Sequence, residues 1–447
     1  MPRSPRRDRR EFLTTSLSAA AAWSLGAYLP SPAFAADATK PVETKTAEAK
    51  VAETKPAEPG VKLAAHIPGQ PPSLFLTWWR DPTTTMVIQW LGPEEQCSIH
   101  YGVLKSEQKL TARVQSKTFP DTPLKVHRCE LTGLLPGTEY QFVINDAPRS
   151  YRFRTMPAKL TSTFQFVSGG DCGVGSSALQ TNVLAAAQDP QFALIGGDLA
   201  YDNGKSPTTV QQFFENYSQT MRDTQGRMIP LVSCIGNHET TSASNLTGIF
   251  PSLKKPIAPH YTALFDGIFN SGMYGVLDFA DYLSLVLLDS GHVTPVKGEQ
   301  TDWLAKVLAD RQTKPHLFVA NHVPAYPSYR AIENTGKDNR KYWCPLFEKF
   351  GVDGVLEHHD HTFKRTHPLT DGLYDKNGVL YLGDGSWGKL RSLKKPEERP
   401  YLAAYGDSYH VSVHRLEGNQ RHHVALTSSG RIADICSTNG KRVARRG

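Results

Sequence analysis

The sequence predicts a mixed α/β (α+β) protein in which a small β-sandwich precedes a larger sheet domain with flanking helices. Three observations point there. Residues 67–157 hold short apolar runs broken by turn residues, with no helical periodicity. From 160 to 430, strand-like runs alternate with stretches whose apolar residues fall at helical spacing. The 447 residues, 39% hydrophobic and 21% charged, have the proportions of a globular protein rather than a disordered or fibrous one. The net charge of +7, part of it in the first 35 residues, is too diffuse for a nucleic-acid binder. No apolar run reaches the ~20 residues that span a bilayer. Neither a nucleic-acid partner nor integral membrane contact is expected.

The first 35 residues read as a targeting signal. Arg9-Arg10-Glu11-Phe12-Leu13 leads into an Ala-rich apolar stretch, Leu17 to Leu29, and then Ala33-Phe34-Ala35. A charged start, a short apolar middle and small residues at the cleavage positions make a bacterial secretory signal. The arginine pair resembles the twin-arginine type, an export address for proteins already folded. Asp8 departs from that pattern, which usually has Ser or Thr there, and Arg6-Arg7 offers a competing pair. An uncleaved interfacial helix is the alternative. The export reading implies a periplasmic or secreted protein. Residues 36–66, rich in Ala, Lys, Glu, Thr and Pro, have almost nothing apolar to bury and read as an extended tether.

In the sandwich region, strands are expected at Ser73–Trp79, Thr85–Trp90, Cys97–Tyr101, Val126–Leu131, Tyr140–Asn145 and Tyr151–Arg154. The run from Leu131 to Tyr140 resembles the turn before the sixth strand of fibronectin type III sandwiches. There a tyrosine hydroxyl closes a corner onto the backbone. No site chemistry is visible in this module, so its role is read as structural.

In the second region, strands are expected at Phe164–Ser168, Phe192–Ile195, Ile229–Ile235, Tyr274–Leu277, Tyr282–Leu288, His316–Ala320, Val352–Leu356, Val379–Leu382, His410–His414 and His423–Leu426. Helices are expected over Ser177–Gln188, over the stripe Val210, Phe213, Phe214, Tyr217 and Met221, and around Trp303, Leu304, Val307 and Leu308. The order argues one sheet with helices on its faces, and residues 431–447 read as a tail. The six cysteines show no zinc-site spacing. Export would permit disulfides, and Cys97 and Cys129 share the small domain. Cys172 and Cys234 read as buried free thiols.

Polar residues concentrate just after the apolar strands. Those strand ends read Gly169-Gly170-Asp171-Cys172-Gly173, Gly196-Gly197-Asp198-Leu199-Ala200-Tyr201, Gly236-Asn237-His238-Glu239, Val319-Ala320-Asn321-His322 and Glu357-His358-His359-Asp360-His361. Ligands bind at this edge of open α/β sheets, and oxygen donors mixed with imidazoles suit Fe, Mn or Zn. One tetrahedral zinc needs three or four groups. Seven candidates are on offer, enough for two cations ~3.5–4 Å apart that share a carboxylate. Singly, a Gly-Asp is commonly a turn and a histidine commonly structural. Their joint occurrence, each after an apolar strand, points to a metal centre.

The five blocks together resemble the signature of the purple acid phosphatases, a branch of the calcineurin-like metallophosphoesterases. The resemblance spans both folded domains, because that family places a fibronectin-like module ahead of its catalytic one. Tyr201 separates this branch from generic relatives, which have no tyrosine ligand. Carried over, the resemblance implies Asp171, Tyr201 and His361 on Fe(III), with Asp198 bridging two metals. It implies Asn237, His322 and His359 on a divalent Fe, Zn or Mn, and His238 beside the phosphate as an electrostatic or proton-handling group.

The implied function is an exported acid phosphatase that hydrolyses small phosphate monoesters, with hydroxide generated at a binuclear Fe(III)–M(II) centre. A phosphodiesterase or nucleotide hydrolase on the same scaffold is the alternative, and a non-catalytic cell-surface binding protein a further one. Two places depart from the family pattern. His358 stands where a glycine is usual, which would strain the backbone if φ were positive there. Ala331 and Ile332 stand where plant members carry two histidines, and Tyr326, Tyr329 and Arg330 nearby are candidate substrate contacts.

Overall fold

The structure, a computed structural model, describes residues 70–94, 96–241, 258–269 and 272–440. The expected export signal and tether lie outside the described residues. In the small domain, β1 (Phe75–Thr77), β2 (Met86–Gly92), β3 (Ser98–Val103), β4 (Leu110–Arg113), β5 (Gln115–Thr118), β6 (Lys125–Leu131), β7 (Glu139–Ile144) and β8 (Tyr151–Arg154) form two antiparallel sheets. Their orders are β1-β2-β6-β5 and β4-β3-β7-β8. Along β7 buried and half-exposed residues alternate, as expected of a strand with one face on the core. Trp90, Phe142 and Phe153 fill the interior. Strands β4 and β5 escaped the sequence reading, because Leu-Thr-Ala-Arg and Gln-Ser-Lys-Thr are mostly exposed and carry no alternation. The tyrosine corner is closed: the Leu135 amide donates to the Tyr140 hydroxyl at 2.9 Å.

The second domain comprises β9 (Phe164–Gly169), β10 (Ala193–Ile195), β11 (Leu231–Ser233), β12 (Gly275–Phe279), β13 (Leu283–Leu287), β14 (His316–Ala320), β15 (Gly354–Glu357), β16 (Phe363–Thr366), β17 (Leu369–Thr370), β18 (Leu373–Tyr374), β19 (Leu380–Gly383), β20 (Leu402–Gly406), β21 (His410–Glu417), β22 (Gln420–Thr427) and β23 (Ile432–Asn439). Its helices are α1 (Ser176–Ala186), α2 (Pro207–Thr220), α3 (Pro259–Phe265), α4 (Glu299–Arg311) and α5 (Cys344–Phe350). Proline in the first turn starts α2 and α5, and Gly351 in the left-handed conformation (φ 68°) stops α5. Glu299 and Asp302 at the start of α4 and Arg311 at its end suit the helix dipole.

The strands form two main sheets, not the single sheet expected. One has the order β11-β10-β9-β21-β22-β23, the other β12-β13-β14-β15-β19-β16-β20. Their inner faces meet where Phe166 of β9 abuts Phe318 of β14 edge-on at 5.6 Å. On the outer face of the second sheet, Leu304, Val307 and Leu308 of α4 and Phe347 of α5 pack against Val286, Val319 and Val355. Strands such as β10 and β14 are buried throughout. Such sequences reveal that both faces are covered but not by what, so a second sheet and a helix look alike. The expected tail is also corrected. Residues from Ile432 form β23, antiparallel to β22, and its partly exposed, polar edge-strand sequence hid it.

Strand β1 joins the two domains. Phe75 stacks on Phe214 of α2 at 4.2 Å, and Trp78 meets Phe192 and Phe279 edge-on at 6.2 and 5.8 Å. Arg128 reaches Asp266 at 2.8 Å and the Ala263 carbonyl at 3.0 Å. All six cysteines are free thiols, with Cys172 and Cys234 buried as expected. Among the described residues no helix is long and apolar enough to cross a membrane.

Buried histidines stiffen the first sheet. His414 Nε2 lies 2.7 Å from Ser168 Oγ and its Nδ1 2.7 Å from His423 Nδ1, while His410 Nδ1 meets Ser386 Oγ at 2.5 Å. Burial lowers His410 from 6.5 to about 4 and His414 to about 3. Folded protein keeps both neutral where the unfolded chain takes up protons. Their contribution to stability is therefore complete above about pH 6.5 and is lost as pH falls toward the folded values. In thermal unfolding the Tm should therefore fall less steeply below about pH 6.5 in His410→Gln than in the wild type. Separately, Tyr140→Phe, which leaves the Leu135 amide without its acceptor, should cost about 1 kcal/mol in chemical denaturation.

Candidate metal centre

The parallel strands of both sheets deliver their C-terminal ends to one place. Asp171 follows β9, Asp198 and Tyr201 follow β10, and Asn237 and His238 follow β11. His322 follows β14, and His359 and His361 follow β15. All eight residues singled out from the sequence converge. Asp171 Oδ1, the Tyr201 hydroxyl and His361 Nε2 form a triangle with edges of 3.0, 3.1 and 3.2 Å. Beside it, His322 Nε2 lies 3.2 Å from Asn237 Oδ1, 3.0 Å from His359 Nδ1 and 3.4 Å from Asp198 Oδ1. Asp198 belongs to both metal-type groups, with Asp171 and His361 on one side and His322 and His359 on the other.

The backbone here is strained for convergence. Asp171, Asp198, Tyr201, His359 and His361 all have left-handed φ, between 53° and 79°. Each such non-glycine residue costs on the order of 1–2 kcal/mol and persists only where its surroundings over-determine it. Gly385, itself at φ +73°, is one such constraint: a Cβ there would lie 1.7 Å from Asp171 Oδ2.

Glu239 is the other. Buried behind Asp198, it accepts the amides of Asp198, Leu199 and Gly236 at 2.7–2.8 Å, tying the second and third loops together. Burial, with Asp198 and Asp202 near, pushes its carboxyl up to about 8 against the pull of those amides.

The donors fit a pair of cations. Asp198 Oδ2 is buried with no hydrogen-bond partner, an orphan that bound charge would satisfy. Burial alone would raise Asp198, yet His322, His238 and His359 hold it well below the usual carboxylate range. Burial opposes charging of His322, but Asp198 and Asp171 raise it to about 9. Burial, then His322, keeps His359 well below its ordinary value. Burial beside Asp171 and Asp198 pushes the Tyr201 phenol well up, so a phenolate there requires a neighbouring cation. His238 lies at the open side. Its ring is 4.3 Å from that of Tyr201, its amide donates to Asp198 Oδ1 at 2.8 Å, and its Nδ1 is 2.5 Å from Asn203 Oδ1. Burial lowers its imidazole, with Asp198 opposing.

Residues 71–167 match the family described as the purple acid phosphatase N-terminal domain, and residues 170–363 match the calcineurin-like phosphoesterases. The chain belongs to the purple acid phosphatase-like branch of the calcineurin-like phosphoesterases. It is similar to purple acid phosphatase 15 of Arabidopsis thaliana, 27% identical over 322 residues, covering 63% of this chain and 58% of that protein. It is also similar to a phosphoenolpyruvate phosphatase of Allium cepa, 26% identical over 312 residues, covering 63% and 62%. The chain thus spans about three fifths of the length of these relatives. The fold resembles a purple acid phosphatase from yellow lupin (Lupinus luteus) seeds, with a TM-score of 0.66, 16% identity and coverage of 82% and 74%. This family implies a binuclear metal centre, which the shared Asp198 accommodates.

Within this family, the departure at His358 has a local explanation. The left-handed φ falls on His359 rather than His358, whose Nδ1 is 3.0 Å from the Asn321 carbonyl. Its ring occupies the space above Gly196, where a Cβ would lie 1.8 Å from His358 Cε1. Gly196, lacking a side chain, makes room for the His358 imidazole.

The suggested substrate contacts change. Tyr326 is a core residue, packed against Tyr381 and Tyr401. Arg330 is occupied, paired with the buried Asp360 at 2.7 Å and bonded to the His359 carbonyl at 2.5 Å. Tyr329 lies under Lys394, 4.4 Å from its ring, and Arg391, 5.1 Å from it. The reading of the sequence missed Gly385, the tie made by Glu239, and Lys389, whose ammonium lies 4.7 Å from the Tyr201 ring. Glu239 closes the block Gly236-Asn237-His238-Glu239, but nothing in its letters shows that it turns backward to the amides.

Glu239→Gln would set an amide donor against at least one of those backbone N–H groups. It should lower metal affinity roughly 10- to 100-fold, measured by competition with a chelator, while leaving the named donors intact.

Proposed function

We propose that the chain is an exported, metal-dependent phosphatase that hydrolyses small phosphate monoesters at a binuclear Fe(III)–M(II) centre. The observation that carries this reading is the position of Asp198, a buried carboxylate common to two donor groups with one oxygen unpartnered. In the proposal Asp171, Tyr201 and His361 hold the ferric ion, and Asn237, His322 and His359 hold a divalent Fe, Zn or Mn. When bound, such a pair supplies acidified water and positive charge for the phosphate oxygens.

The chain's own groups then orient and move protons. His238 presents a ring edge to the mouth, with Nε2 3.9 Å from Asp198 Oδ2. Its Nδ1–H donates to Asn203, so Nε2 is the nitrogen that gains and releases a proton facing the ester. Ala331 and Ile332 cannot carry a proton, so the proposal assigns protonation of the leaving alkoxide to His238. Export rests on Arg9-Arg10 and Ala33-Phe34-Ala35, whose route carries folded protein and suits a centre loaded beforehand.

Iron-loaded protein should be purple or pink and cleave a chromogenic phosphate monoester faster than the matching diester. Tyr201→Phe should abolish the colour, and Asp198→Asn should lower kcat/KM at least ~100-fold with the far-ultraviolet circular dichroism unchanged. A colourless protein that is fully loaded and active with two zinc ions would remove the ferric assignment. Faster turnover of the diester would replace the monoesterase reading.

A further inference from the structure

Among the described residues one other group brings three metal-type donors together: Glu94, Cys97 and His127, whose ligand atoms all lie within 4.8 Å of one another. Glu94 and Cys97 stand on the connection between β2 and β3, and His127 on β6. The donors in each half of the centre described above lie equally close together. Here a nitrogen, a sulfur and an oxygen donor meet in the sandwich.

The imidazole is the fixed part. The His127 side chain is fully buried, and its ring stacks on Trp90 at 5.2 Å with the planes 26° apart. Its Nδ1 lies 2.8 Å from Ser116 Oγ. A hydroxyl donates or accepts equally well, so Ser116 accommodates the tautomer with the proton on Nδ1. That tautomer turns the Nε2 lone pair toward Glu94, whose Oε2 is 3.6 Å away. Metal-bound histidines are held in this way by a partner on the other ring nitrogen.

Glu94 is folded inward, its side chain only 16% exposed. Burial, then Glu94, pushes the Cys97 thiol up to about 11, so without a cation the sulfur keeps its proton. A divalent cation would be neutralised by carboxylate and thiolate together, with the thiol proton passing to solvent. The Gly92 carbonyl oxygen accepts from His127 Nε2–H at 3.3 Å in the other tautomer; with the proton on Nδ1, that oxygen or a water is available as a fourth donor.

We propose that Glu94, Cys97 and His127 form a second, mononuclear site for a borderline-soft divalent cation of the zinc class. The ion pins the β2–β3 connection to β6 and takes no part in hydrolysis.

The test uses the full-length protein, stripped of metal and reloaded with Co(II). The proposed binuclear centre offers only oxygen and nitrogen donors, so a near-ultraviolet sulfur-to-cobalt absorption reports the sandwich site. The wild type should show that band, and Cys97→Ser should lose it together with one metal equivalent of about three. Phosphomonoesterase activity of the zinc- and iron-loaded Cys97→Ser protein should stay within about twofold of wild type. In the wild type, Zn(II) should also slow alkylation of Cys97 at least ~10-fold. A wild type without the thiolate band, a band that survives Cys97→Ser, or alkylation indifferent to Zn(II) would overturn the proposal. In that outcome Glu94 and His127 form an ion pair only. The optical and alkylation readouts stand whether or not the larger centre hydrolyses phosphate esters.

Discussion

One buried carboxylate organises this molecule. Asp198 must face two donor groups at once, and it can do so only if negative charge in a dry interior is compensated on every side. Imidazoles compensate it at the front, where His322, His238 and His359 hold it ionised. Behind it lies another acid, Glu239, which by itself would repel it. The three backbone amides that Glu239 accepts, including that of Asp198, offset only part of that repulsion, and burial with the neighbouring acids still pushes its carboxyl up to about 8. The arrangement fixes the loop path, and the loop path forces the left-handed conformations at the donor residues. Strain, burial and charge at the centre are therefore one problem with one solution.

Most of the donor set was legible because strand ends carry it. An apolar strand announces itself, and the two to six residues after it must emerge at the same sheet edge, so Asp171, Asp198, Asn237, His322 and His359 could be read directly. What could not be read depends on distance in three dimensions. Gly385 lies far along the chain from Asp171, yet a side chain there would collide with it. Lys389 reaches Tyr201 from the same late segment. Tyr326 looked available because it follows His322 closely, but the strand geometry turns it into the core beside Tyr381.

The fold was legible to the same degree and for the same reason. Strand identity came through at most apolar runs and failed at β4, β5 and β23, which lie at sheet edges and are partly or largely exposed. It also failed at β16, β17, β18 and β20, of which β16 is buried between two strands although its letters, Phe-Lys-Arg-Thr, are mostly polar. The split into two sheets stayed hidden because period-two and fully buried patterns record coverage, not the identity of the covering layer. His358 was the opposite case. A residue that broke the family pattern found its compensation in the facing sheet, at Gly196 after β10, a local pairing of large with small that no single position reveals.

The aromatic seam between Phe75, Trp78, Phe192, Phe214 and Phe279 makes the two modules one interior rather than neighbours across a hinge. Cutting the gene between them would leave each fragment with greasy rings facing water, prone to clump before its chemistry could be assayed. Anyone wishing to graft the metal-bearing half onto another protein would have to repaint that face first.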